Sequence, residues 1–226
     1  MNKTRTEGIC IALPVCLGSL PVGISYGLLA VQAGLTPAQA TLMSAAVMAG
    51  ASQLMVVGML GQASIPALVI AVFFMNLRHI VMSSSVMHRL VKTSLRMRLL
   101  CAFALCDESF ALFSLSGSRS AEHLLGIDLA LYGAWVASSL AGCLLGRLLP
   151  VIIAKSFAVA FYAAFAAMLI PPVRKNRALM YLVLLTGALH AALRQLLPPS
   201  WSVILAMIAA AVAGTYFVEV HPDEDC

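Results

Sequence analysis

Asn76, Arg78 and His79 sit inside an apolar run that begins near Ala63 and ends near Met87. The next apolar run, 99–117, carries Asp107 and Glu108 near its midpoint. An arginine at bilayer depth costs ~2.5–3.5 kcal/mol even on the mildest scales, so it faces a protein interior or a wet cavity and has a partner there. Two opposite charges in neighbouring apolar runs are such partners. Counted from the loop 88–98, Arg78 lies nine residues up one run and Asp107 eight residues up the other. At ~1.5 Å per residue those depths are ~14 and ~12 Å, close enough for an ion pair between Arg78 and Asp107 or Glu108. The competing arrangement is a snorkelling arginine with interfacial acids. Asp107 and Glu108 point ~100° apart on a helix, so one can serve the arginine while the other faces a pathway or binds a proton. His79 offers a proton relay, or a ring satisfied by a helix carbonyl. Ser52, Gln53 and Asn76 offer hydroxyl and amide groups, either for contact with a polar cargo or for helix–helix adhesion.

The composition explains why these groups stand out. Of 226 residues 62% are hydrophobic and 10% charged, with a mean hydropathy of +0.97. A soluble domain carries about 25% charged residues, so this chain cannot coat itself for water. By the ~20-residue rule up to eight segments are long enough to span, roughly 9–33, 38–61, 63–87, 99–117, 128–149, 156–173, 178–197 and 200–218. No sustained period-two alternation supports a barrel. The expected fold is all-α, a polytopic helical membrane protein forming one domain over 1–226. The first run is too long for a cleaved signal segment, whose apolar core is ~7–15 residues.

Small residues suggest how the helices meet. Gly23 and Gly27 in the first segment, Gly50 in the second, and Gly142 and Gly146 in the fifth permit close packing. Pro14 and Pro21 bend the first segment or line a pathway with it. Thr36-Pro37 and Ser64-Ile65-Pro66 read as helix starts. Cysteines 10, 16, 101, 106 and 143 read as small apolar fillers, and no zinc-like spacing or other metal site is present.

Arg89, Lys92, Arg96 and Arg98 make an acid-free basic loop that the positive-inside rule assigns to the cytoplasm. Simple alternation of eight spans then divides the remaining basic residues almost evenly between the two sides. Letting 38–61 and 156–173 re-enter instead of crossing leaves only Arg119 and Arg194 outside. Interrupted segments in matching halves are a pointer to a transporter binding site. The net charge of +5 sits in loops, a pattern that argues against nucleic-acid binding. No nucleotide-binding loop is present, so coupling to a proton gradient is the expected energy source.

Several ordered motifs carry a resemblance. Tyr26-Gly27-Leu28-Leu29-Ala30, Gly34-Leu35-Thr36, Met43-Ser44 with Ala49-Gly50-Ala51-Ser52-Gln53, Asn76-Leu77-Arg78-His79 and Asp107-Glu108-Ser109-Phe110-Ala111 together resemble the AzlC-type branched-chain amino acid permeases. The resemblance implies a large subunit of a bacterial inner-membrane exporter of valine, leucine or isoleucine-like cargo, working with a small hydrophobic AzlD-type partner and without a cofactor. At Ala154-Lys155-Ser156-Phe157-Ala158 the chain departs from the family's Gly-Leu-Asp-Phe-Ala, lacking the acid before phenylalanine. The alternatives are an intramembrane enzyme and a structural membrane subunit. For an enzyme, His79 with Ser83 is the nearest nucleophile–base combination, and no oxyanion motif accompanies it. No catalytic residues are expected. A structural subunit would leave the buried charges without a role.

Overall fold

The computed structural model describes residues 3–90, 93–118, 120–146, 170, 173, 174, 176–197 and 199–217, and every regular element among them is helical. In chain order these are α1 (Lys3–Gln32), α2 (Pro37–Ala46), α3 (Gly50–Met59), α4 (Ile65–Arg89), α5 (Leu95–Ala104), α6 (Asp107–Leu115), α7 (Ala121–Leu145), α8 (Arg177–Leu196) and α9 (Pro199–Phe217). Four of them, α1, α4, α7 and α8, are long and apolar enough to cross a membrane. The chain packs as two compact units, Met1–Leu60 with Asn76–Tyr162, and Gly61–Met75 with Ala163–Cys226.

The first unit is built on α1 and α7. Lipid gives apolar helices no hydrophobic reason to associate, so close van der Waals approach must hold them together. Here glycines provide it. A Cβ on Gly23 would collide with Ser138, one on Gly27 with the backbone of Ser139 and Cys143, and one on Gly142 with the backbone of Ile24. Gly8 and Gly126, at the other end, lie equally close to the carbonyls of His123 and Arg5. Contacts advance in step, from Arg5 with Glu122 through Gly23 with Ser138 to Leu28 with Gly146, so the two helices are parallel. Pro14 and Pro21 lie inside α1 without ending it.

Two helical hairpins lie against this pair. Thr36 and Gln39 form a capping box and Pro37 opens α2, as the sequence implied. The chain unwinds at Val47–Ala49, and α3 turns back. Tyr132 of α7 donates to Ala45 O at 2.7 Å and Tyr26 of α1 to Ala40 O at 3.0 Å, fixing α2 to the central pair, while Gln53 Nε2 donates to Ser44 Oγ at 3.0 Å and ties the two arms together. Leu54 and Val57 return to the cluster of Ala30, Ala40 and Cys143, at the C-terminal end of α1. The segment 38–61 is therefore broken and re-entrant. Each ten-residue arm is ~15 Å long, half a hydrocarbon core.

The segment 99–117 corrects the expectation of a straight span. It breaks at Leu105–Cys106, with Cys106 N donating to Ser109 Oγ at 2.9 Å to start α6. Ser109 lies beside Asp128 in α7, and Phe113 is buried with Leu124 and Leu125 nearer the α7 N-terminus. Had α6 continued upward, the connection 116–120 would need more than the ~3.3–3.6 Å per residue a chain can span. Thus α5 and α6 re-enter as well, from the opposite end. The expected span 128–149 likewise begins earlier, at Ala121, because Glu122 is paired with Arg5 and Asp128 is buried rather than looped out. The segment 156–173 and the divergent stretch 154–158 lie outside the described residues, 170 and 173 excepted.

The two halves repeat. Helices α1, α4 and α7 end at Gln32, Arg89 and Leu145, 57 and 56 residues apart. Each of the first two is followed by a hairpin, with second arms starting at Gly50 and Asp107 and with left-handed glycines, Gly61 and Gly117, after them. The hairpins enter from opposite ends, so the repeat is inverted.

In the second unit α8 and α9 form an antiparallel pair, with Gly214 set against Leu182, and Asn176 caps α8. No residue of α8 is buried.

Candidate functional site

Breaking a helix halfway through the bilayer exposes the backbone N–H groups of its first turn and their partial positive charge. The first unit does this twice, at Gly50 and at Asp107. The two starts differ. The first turn of α3 carries no acid and its N-cap, Ala49, makes no side-chain cap, whereas α6 begins with Asp107 and Glu108.

Helix α4 links the two tips. Arg78 pairs with Asp107 at 2.8 Å, the contact that depth matching anticipated. It survives the break because a ten-residue arm carries Asp107 to the same depth as a straight helix would. Ser52 Oγ donates to Asn76 Oδ1 at 2.6 Å. Asn76 and Arg78 are two residues apart, ~200° around the helix, so α4 meets the α3 tip with one face and the α6 tip with the other. His79 follows one turn after Asn76 and on its side. Its Nδ1 is buried without a hydrogen bond among the described residues. Glu108 is half-buried next to Asp107.

Gln53 is placed differently. It is buried, its Nε2 donates to Ser44, and its Oε1 accepts from Trp135 Nε1 at 2.9 Å. Ser44 continues to Ser139 at 2.9 Å. This amide is fully engaged in holding the α2–α3 hairpin against α7. Gly50 lies under the Trp135 ring, where a Cβ would clash. Of the glycines singled out in the sequence, Gly23, Gly27, Gly50 and Gly142 sit at such close approaches, and Gly146 lies in ordinary contact with Leu28.

One residue escaped the sequence reading. Asp128 is fully buried in α7, and neither carboxylate oxygen has a hydrogen-bond partner among the described residues. His123 Nε2, five residues earlier, is also buried and has no hydrogen-bond partner among the described residues. The signal was there: an acid seven residues into what becomes an apolar helix, hidden because Asp128 stands at the edge of the expected span 128–149. Among the described residues no group of three or more His, Cys, Asp or Glu could hold a metal ion.

The sequence profile of the AzlC protein family matches residues 14–149, a stretch that contains both hairpins and every residue of the site. The chain belongs to the AzlC family. It is 28% identical over 223 residues to the inner membrane protein YgaZ of Escherichia coli, covering 94% of this chain and 89% of that one. An uncharacterized membrane protein of Archaeoglobus fulgidus shares 35% over 143 residues, 63% of each chain. One from Helicobacter pylori shares 34% over 139 residues, 59% of this chain and 60% of its own. The chain thus spans less than two thirds of the length of these last two relatives. No solved structure matches it.

Proposed function

We propose that this AzlC-family membrane protein is a permease that exports branched-chain amino acids across a bacterial inner membrane, driven by the proton gradient and assisted by a small AzlD-type subunit. The observation that carries the reading is the Arg78–Asp107 pair held between α4 and the tip of a half-length helix. An amino acid is itself an ion pair. Its carboxylate can take the place of Asp107 at Arg78 or rest at the acid-free first turn of α3. Its ammonium can take the place of Arg78 at Asp107 or Glu108. Each exchange trades one charged contact for another, so binding leaves neither Arg78 nor Asp107, whose side chains are 42% and 38% exposed, without a counter-charge.

Orientation follows from charge. Lys3 and Arg5 open α1, Arg89 closes α4 and Arg96 and Arg98 open α5, and Leu90 and Cys101 beside them pack with Ala12 and Leu124, at the N-terminal end of α1; no charged residue occurs in 8–77. The positive-inside rule makes that end cytoplasmic. A partner subunit is supported by α8, which buries no residue within this chain.

The test is efflux of preloaded valine or leucine from cells, with and without the small subunit. Arg78→Ala and Asp107→Asn are each expected to lower efflux about tenfold or more, the scale of a lost charge-assisted contact. Transport that ignores both substitutions would sink the reading. Hydrolysis of a peptide or ester by the purified protein, abolished in His79→Ala, would replace it with an enzyme.

A further inference from the structure

We infer that Asp128 is the site where the coupling proton binds, an inference that rests on the permease reading and goes beyond it by separating the proton's site from the cargo's.

Asp128 is fully buried, and among the described residues neither of its oxygens is within hydrogen-bonding geometry of a partner, the Ser109 hydroxyl lying beside it. The titratable groups carried by the elements around it include Lys3, Arg5, Glu7, Cys10 and Cys16 of α1, Arg96, Arg98 and Cys101 of α5, Cys106, Asp107 and Glu108 at the start of α6, and Glu122, His123 and Tyr132 of α7 itself. Arg5 is held by Glu122 at 2.6 Å and Asp107 by Arg78 at 2.8 Å. A dry carboxylate without a counter-charge is neutralised by whatever cation reaches it. A hard metal ion wants ~6 oxygen ligands, and among the described residues no group of three or more His, Cys, Asp or Glu gathers here, the Ser109 hydroxyl being the polar group set against the carboxylate. A proton needs one oxygen.

Access comes from one end. Glu122 and His123 occupy the first turn of α7, and Asp128 lies ~8–9 Å further in. His123, with its unpartnered Nε2, stands between the basic end of the unit and Asp128.

The link to cargo is α6. Ser109 belongs to the same first turn as Asp107 and Glu108. Ionised, Asp128 would add a third negative charge beside that turn and push the tip of the hairpin away from α7. Protonated, it lets Ser109 stay seated. The O–H bond formed at Asp128 on loading breaks again on release, so the tip shifts once per proton. Asp107 stays with Arg78 and the cargo.

Reconstituted vesicles test this with two readouts. In Asp128→Asn, accumulation of leucine driven by a pH gradient is expected to fall about tenfold or more, while leucine–leucine exchange without a gradient stays within about twofold. Arg78→Ala, by contrast, loses both. Infrared difference spectra across a pH titration should show a protonated-carboxyl stretch that disappears in Asp128→Asn and persists in Asp107→Asn and Glu108→Gln. Asp128→Glu, which keeps a carboxyl, should restore both signals and serves if the amide variant folds poorly. Gradient-driven accumulation unchanged in Asp128→Asn, an infrared band indifferent to that substitution, or drive by a sodium gradient instead overturns the assignment. If the wild type moves no amino acid, the permease reading falls by itself, and the infrared band still decides whether Asp128 takes up a proton.

Discussion

Arg78 was legible because its cost is large and local: a guanidinium among apolar residues demands a partner, and the run that follows holds acids at the right depth. Hydroxyls and amides are cheaper to bury, so the sequence could not say whether Gln53 faced a cargo or a neighbour. The structure gives it two protein partners, Ser44 and Trp135. Gln53→Leu should therefore weaken the α2–α3 hairpin. Buried polar contacts in membranes average ~0.6 kcal/mol and reach ~1.7. The expected result is a lower melting temperature in detergent with the helical spectrum preserved. An unchanged melting temperature would mean that Trp135 and Ser44 find other partners at no cost. Asp128 stayed hidden for the opposite reason, since nothing in the order of residues distinguishes a loop acid from one drawn into a helix by its neighbours.

Among the elements, the break in 38–61 could be anticipated from its glycines and polar residues, and the break in 99–117 could not. No proline or glycine marks Leu105–Cys106. Only the two acids at 107 and 108, helix-start residues by preference, signal it, and midway along an apolar run they look like charges within a span. The consequence can be checked by labelling single cysteines in a background stripped of native ones. Cysteines placed at Thr93 and Ser118 should react from the same side of the membrane, and those at Gly34 and Gln62 from the other. Reaction of 93 and 118 from opposite sides would make α5–α6 a crossing after all. The seam of α1 and α7 yields a harsher outcome. Gly142→Leu drives a side chain into the backbone of Ile24. Overpacking of this kind costs ~1–3 kcal/mol where neighbours can move, and here the obstacle is main chain. Folded yield should fall sharply, while Gly133→Leu, where a Cβ meets nothing, should be tolerated. Equal yields would remove the seam from the account of stability.

At the scale of the whole chain, membrane residence followed from composition, while the inverted repeat did not. The halves keep their lengths and breaks but share few residues at the 57-residue spacing, among them Thr36 with Thr93, Ala45 with Ala102 and Ser52 with Ser109. Shape was retained where chemistry diverged, which is why one tip is acid-free and the other acidic. Exposure of α8 belongs to this scale too. Co-expression with a small AzlD-type subunit should raise efflux and protect α8 from labelling, for instance at Tyr181; labelling unaffected by the subunit would locate its contact elsewhere.

The glycine seam has a mechanical meaning as well. Two helices locked backbone to backbone form a stiff post, and the hairpins hang from its opposite ends like separate doors. On the proposed permease reading, a swing of either door with the post standing still would offer the charged middle to one side of the membrane at a time.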